Sequence, residues 1–507
     1  MRRLKKILLC IFVTVTVLFL IGFLMLKLLV APQKVVNSGA LRELTSKEKL
    51  EDFNYLYATL KDSFPFFEVE KDKTGFDWLG NKDKFEEKIK ATKNNEEFYY
   101  TLKNLVTMIQ NGHTGVLAPT KYEDMVTSYS GITNHAWGEV LTQTGVREKY
   151  KDWGKIVNEN KVVIPIKIQY VEGAYVVTED FKNIKKGYSI DSIDDIPIDG
   201  YFKGNLDKYY LNYDDKRDKL YVKSTMITVE SGRDYKITAK FKDNKEITEY
   251  LTPVNYEPKA STSTNSSSSE EKILVENKVA YVKVRSMSNK TLEADGKKLI
   301  EFYKSIKDFP YLVIDIRGNG GGTDYYWQKN IVEPLISQTK SSAFAMAYKG
   351  NYIKPFLIGR GIITKPISNL PQQFSSKYAL SMERFTDTSR TVKPQNPVGF
   401  SGNIYLLVDD YVYSSSESFA AFCMGTGFSK LVGTTTGGDG IGIDPCVMAL
   451  PNSGLVIRFS LDMGINSDGT VNEKVHTKPD IYAETTYEDF INGKDSILNK
   501  VLEICSK

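Results

Sequence analysis

The chain is poor in the residues that build covalent frameworks and many reactive centres. It has 4 cysteines and 3 histidines among 507 residues. Four scattered cysteines do not make a disulfide framework. Cys10 lies in an apolar run; Cys423, Cys446 and Cys505 suit buried thiols, with a Cys423–Cys446 bond left open. No cysteine or histidine spacing suits zinc, so neither metal nor cofactor is expected. With only His113, His135 and His476, a histidine-based site has few candidates. A concentrated basic surface is also missing. Arg2, Arg3, Lys5, Lys6 and Lys27 supply the excess positive charge, and beyond them acids and bases nearly balance. That speaks against a nucleic-acid partner. There is no internal repeat, no Gly-Lys-Ser/Thr phosphate-loop ending and no dinucleotide-binding glycine spacing.

One long apolar run is present. Residues 7–26 carry no charge, which is about the 20 residues that span a bilayer core. Flanking positives favour a cytoplasmic N-terminus. The run is longer than the apolar region of a cleaved signal peptide, and Leu29-Val30-Ala31 is a poor cleavage site. The expectation is an uncleaved single-pass membrane anchor (1–30), a stalk (31–44) and a bulk that faces outside the cytoplasm.

Beyond the stalk the pattern is helical. Thr45-x-x-Glu48 reads as a capping box, and Leu50, Phe53, Leu56, Leu60 and Phe64 recur at helical spacing. A second helix carries Phe98, Leu102, Leu105 and Ile109, with Asn111-Gly112 as its stop. Residues 45–128 thus form a small helical domain that presents His113 on a turn. Residues 160–256 are β-rich. Residues 257–272 are a serine-rich linker without core-forming residues. From 273 to 485 the pattern is α/β: YLVIDI (311–316) and IYLLV (404–408) have the continuous apolar character of buried parallel strands. A C-terminal helix (486–507) follows. The fold class expected is α/β multidomain.

Two loops follow those buried strands, at the edge where open α/β sheets form sites. RGNGGGTD (317–324) contains Gly318, Gly320, Gly321 and Gly322, which let backbone amides approach a ligand. YSSSESFAAF (413–422) places Ser414, Ser415 and Ser416 before an apolar helix. Ser414-x-x-Glu417 fits a capping box, so the serines can simply start a helix. They can equally supply a nucleophile with amides behind it to hold an oxyanion. His113 is then the first choice of base and His476 its competitor. Arg317 and Asp480 read as structural. No Gly-x-Ser-x-Gly elbow surrounds Ser414, against an ordinary α/β-hydrolase.

NGHT (111–114), DIRGNGGG (315–322), YSSSESFAAF (413–422), VGTTTGGDG (432–440) and NEKVHTKPDI (472–481) occur in an order that resembles the tail-specific, or C-terminal processing, serine peptidases, nearest the branch like the tricorn protease core. The resemblance spans about residues 45–485. It implies a peptidase core of the ClpP/crotonase-like type at 273–485 and a PDZ-like domain at 160–256. It implies Ser414 as nucleophile, His113 as base and Glu473 as supporting acid. It also implies an oxyanion hole from the amides of Ser415 and of Gly320 or Gly321. The Ser–Lys form is not matched, since Asp439 stands where its lysine would. Gly112 replaces the serine that precedes the histidine in tricorn-like enzymes. The function implied is a membrane-anchored endopeptidase acting on unfolded polypeptides. The alternative is an inactive, peptide-binding member of the same family.

Overall fold

The computed structural model describes residue 32 and residues 35–158, 161–241, 245–256, 267–438 and 442–507. The apolar run at 7–26 lies outside them, and no helix among the described residues is long and apolar enough to cross a membrane. The expected transmembrane anchor, its membrane partner and the extracytoplasmic location are therefore corrected. Length and hydropathy alone carried them, and no spanning helix among the described residues supports them. The described part of the expected stalk is not free either. Asn37 N–H donates to Pro451 O (2.8 Å) and its carbonyl accepts from Lys149 Nζ (2.7 Å).

Residues 46–156 form a helical layer. Ser46–Ser63 starts with the Thr45–Glu48 capping box and buries Phe53, Leu56 and Leu60. Asn95–Thr107 buries Phe98, Leu102 and Leu105. This helix ends before the expected stop. The left-handed residue is Gln110 (φ 65°), not Gly112. Its amide side chain repays the conformation by donating to Leu206 O and Tyr209 O and accepting from Leu211 N–H, each at 2.9 Å.

Residues 161–256 build an antiparallel sheet around Lys161–Val171, with the short helix Ile198–Gly204 against it. Part of the expected linker, 257–266, lies outside the described residues. Its remainder is not loose: Ser269–Val275 is already an edge strand of the next sheet.

That sheet runs Ser269–Val275, Val279–Val284, Tyr311–Asp315, Asn403–Val408, Lys430–Gly433, Ile481–Tyr482. Its first pair is antiparallel and the rest are parallel. Leu292–Ser305 and Ser415–Thr426 cover one face with Leu299, Tyr303, Phe419 and Phe422. The C-terminal segment is two helices, Tyr487–Asn492 and Ser496–Ser506, broken at left-handed Gly493; the second covers the opposite face with Ile497 and Val501. Cys423, Cys446 and Cys505 are buried free thiols. A small antiparallel sheet pairs Gly115–Val116 with Val456–Phe459, and Val456–Phe459 with Cys446–Ala449. It ties the segment after His113 to the core.

Candidate active site

The parallel register decides where the two loops meet. Asp315 pairs with Leu407, so the glycine loop and the serine loop leave neighbouring strands at the same sheet edge. Both are fastened there. Asn319, fully buried, donates to Val284 O (3.0 Å), and its carbonyl oxygen accepts from Tyr413 N–H (3.3 Å). Asp409 accepts the amides of Gly318 and Tyr411, both at 3.0 Å. Burial and neighbouring Asp410 push its carboxyl up to about 6. A Cβ on Gly321 would stand 2.9 Å from both Ser414 Cβ and Ser415 N. With φ +101°, only glycine fits there.

Ser414 adopts φ 56° and ψ −127°, a conformation that costs a non-glycine residue on the order of 1–3 kcal/mol. Its side chain makes no capping hydrogen bond. Glu417, the other half of the expected capping box, is fully buried and accepts from Thr477 Oγ1 (2.6 Å) and Asn472 Nδ2 (2.8 Å). The capping reading of this motif is therefore corrected: tertiary partners have taken the carboxylate, and the serine hydroxyl is left for the cavity. That cavity is about 700 Å³ and is lined by His113, Gly320, Ser414, Ser415, Arg458 and Asp462, among others.

The amide of Gly321 donates to Asn319 Oδ1 (2.9 Å), which occupies it. Among the described residues the amides of Gly320 and Ser415 have no hydrogen-bond partner, and both residues line the cavity.

His113, partly buried, also lines the cavity, with its ring centroid 4.9 Å from that of Tyr413. Burial and the Arg458 charge hold its pKa well below 6.5. Arg458 Nη2 is 2.9 Å from His113 Nδ1. A guanidinium only donates, so Nδ1 accepts, and a neutral ring carries its proton on Nε2.

Glu473 does not touch the ring by any described hydrogen bond. Its Oε1 accepts from Asn111 Nδ2 (3.2 Å), and Asn111 Oδ1 accepts from His113 N–H (3.3 Å) and Thr114 Oγ1 (2.8 Å). Lys73 lies 3.6 Å from Glu473 Oε1 and 3.2 Å from Glu70 Oε2. Burial holds the Glu70 carboxyl well above the usual range. His476 sits elsewhere, on another cavity, with its ring nitrogens facing Thr436 O (2.9 Å) and Glu473 O (3.0 Å). Arg317 pairs with Asp315 (2.7 Å) and Asp495 (2.6 Å), and Asp480 accepts the Leu431 amide. Sequence reading missed Asn319, Asp409 and Arg458. Asn111 lay inside a quoted motif but was read only as part of a helix stop.

Residues 278–483 match the model of peptidase family S41. This segment, which carries the glycine loop and the serine loop, is similar to that family. Mature CPAF in complex with lactacystin shares the fold at 13% identity, with a TM-score of 0.58 over 91% of this chain and 98% of that one. A second structure of mature CPAF gives 13% and 0.56 over 88% and 94%. The tricorn protease aligns with a TM-score of only 0.37, at 15% identity over 90% of this chain and 36% of that one, which carries no argument for a tricorn-like branch. No curated protein matches the chain.

Proposed function

We propose that this chain is a serine endopeptidase of the S41 type that cleaves unfolded or loosely folded polypeptides. The observation that carries the reading is Ser414. It is held in a strained conformation, released from capping, in one cavity with His113 and the unpaired amides of Gly320 and Ser415. Ser414 Oγ attacks the scissile carbonyl carbon and its proton passes to His113 Nε2. The oxyanion lies against the amides of Gly320 and Ser415, each such donor being worth about 3–4 kcal/mol in the transition state. Collapse breaks the C–N bond, and His113 returns the proton to the leaving amine. Water then hydrolyses the acyl-enzyme by the same route. Glu473 acts through Asn111, which holds the backbone that carries His113. The β domain, read as PDZ-like, offers a sheet edge to which a substrate terminus adds as a strand.

One observation favours the second reading, a peptide-binding member without turnover. With Arg458 donating to Nδ1, the ring proton is on Nε2, and the nitrogen that should accept from Ser414 is occupied. The peptidase reading requires Arg458 to leave Nδ1 when substrate binds.

Incubation of the full chain with casein, beside Ser414→Ala and His113→Ala, separates the two. Fragments from the wild type alone support the peptidase. Peptide binding without fragments from any form supports the binding protein. Equal fragmentation by wild type and Ser414→Ala would sink the nucleophile assignment.

A further inference from the structure

Asp462 is a charged group that the acyl-transfer scheme leaves unused. The cavity around Ser414 is lined by three carboxyl residues, Asp324, Asp444 and Asp462, and two guanidiniums, Arg360 and Arg458. Four of these five have partners. Asp444 is paired with Arg360. Asp324 accepts from Ser418 Oγ (3.0 Å) and lies 3.6 Å from Arg390 Nε. Arg458 faces His113.

Asp462 is only 5% exposed, and among the described residues its Oδ2 has no hydrogen-bond partner. Its Oδ1 accepts one long bond from Ile443 N–H (3.4 Å). Burying a carboxyl group in this way costs several kcal/mol unless something compensates. The cost is visible in its acidity, which burial pushes up to about 7. Gly442 packs against this oxygen without giving it a hydrogen bond. A Cβ on Gly442 would stand 2.6 Å from Oδ2, and Gly442 also lines the cavity.

We propose that Asp462 is the recognition group of a substrate subsite beside Ser414, and that this subsite takes a lysine or arginine side chain of the polypeptide. The proposal rests on the peptidase reading and deepens it. Arg390 acts on the Asp462 carboxyl through its charge, and a cationic side chain of the substrate supplies the hydrogen-bond donors that Oδ2 lacks. Charge-assisted hydrogen bonds of this kind are roughly twice as strong as neutral ones. A neutral side chain of the same length leaves the carboxyl buried and unpaired, so it is rejected by the cost of the missing partner rather than by shape.

The test uses the full chain and two internally quenched peptides that differ only in lysine or norleucine at the cleaved position. The wild type is expected to give the lysine peptide a kcat/KM higher by about tenfold or more. In Asp462→Asn, which keeps the shape and removes the charge, that ratio falls to within about twofold of one. A parallel binding measurement by fluorescence anisotropy uses Ser414→Ala and Ser414→Ala/Asp462→Asn, so that turnover is not needed. Cleavage of both peptides without preference, or a preference that Asp462→Asn keeps, overturns the subsite and leaves the peptidase reading standing. No cleavage, with Asp462-dependent preference for the lysine peptide in binding, overturns the peptidase reading and supports the subsite. Neither cleavage nor preferential binding overturns both.

Discussion

The phenolic oxygen of Tyr413 occupies the space in which a side chain on residue 112 would begin: a Cβ built on Gly112 meets it at 2.6 Å. This accounts for the glycine before His113. Gly112 does not have a positive φ, so its requirement is one of space, and the ring that fills that space belongs to the residue before Ser414. Two loops of the site are thus interlocked. Gly112→Ala is expected to lower kcat/KM on casein by about tenfold or more, since a 1 Å displacement of a catalytic group can cost as much as about a hundredfold. In a Tyr413→Ala background the same change should add little. A double-mutant cycle reads the difference, and additive losses would show that the contact does not matter.

Arg458 should set where the pH profile begins. Catalysis in the scheme above needs His113 neutral, so the acid limb of kcat/KM reports its protonation in the free enzyme. Burial first, and the Arg458 charge second, hold that pKa well below 6.5. The wild-type limb is therefore expected below pH 6.5. Removing a cation makes protonation easier, so Arg458→Gln moves the limb to higher pH. Glutamine also offers Nδ1–H an acceptor, which frees Nε2 to take the Ser414 proton and raises kcat on the alkaline plateau. A limb that stays in place would mean that Arg458 does not act on His113.

The parallel strands were legible because burial on both faces writes continuous apolar runs, as at YLVIDI and IYLLV. The glycine loop was legible because four glycines in five residues have few other uses. Other features depend on tertiary neighbours and leave no local trace. Ser414-x-x-Glu417 has the sequence of a capping box, yet Thr477 and Asn472, some 60 and 55 positions away, claim the carboxylate. Gln110 takes the left-handed turn expected of glycine because residues about a hundred positions on satisfy its side chain. Arg458 reaches His113 across 345 positions, from a strand that reads as ordinary core. The apolar run at 7–26 lies outside the described residues, and hydropathy and length describe a segment rather than a spanning helix.

Glu473 should affect turnover more than binding. Its route to His113 runs through Asn111, whose side chain receives the His113 and Thr114 donors on one oxygen while its amide donates to Glu473. Glu473→Ala removes the acceptor of the Asn111 amide and so loosens the side chain that holds the His113 turn. The expected result is a fall in kcat on the order of tenfold to a hundredfold with KM nearly unchanged. Asn111→Ala should give a similar split. Combined, the two should cost little more than either alone, because they act in series. A rise in KM without loss of kcat would place Glu473 in substrate binding instead.

His476 should make the fold acid-sensitive. Burial holds its pKa at about 4, against about 6.5 in an unfolded chain. The folded state then binds fewer protons than the unfolded state between those values. The stability this contributes is present above pH 6.5 and is lost as pH falls toward 4. At pH 5 the loss amounts to at most about 2 kcal/mol. Glu70, whose carboxyl is held well above its usual range, acts in the opposite sense, so the sign for the whole protein is not that of one group. Comparison with His476→Gln isolates the histidine. The drop in Tm between pH 7 and pH 5 should be smaller in the variant than in the wild type, whatever the variant loses at pH 7 through packing against Gly438. An equal drop in both would mean that His476 is protonated in the folded protein, with each ring N–H donating to one of the two carbonyls that face it.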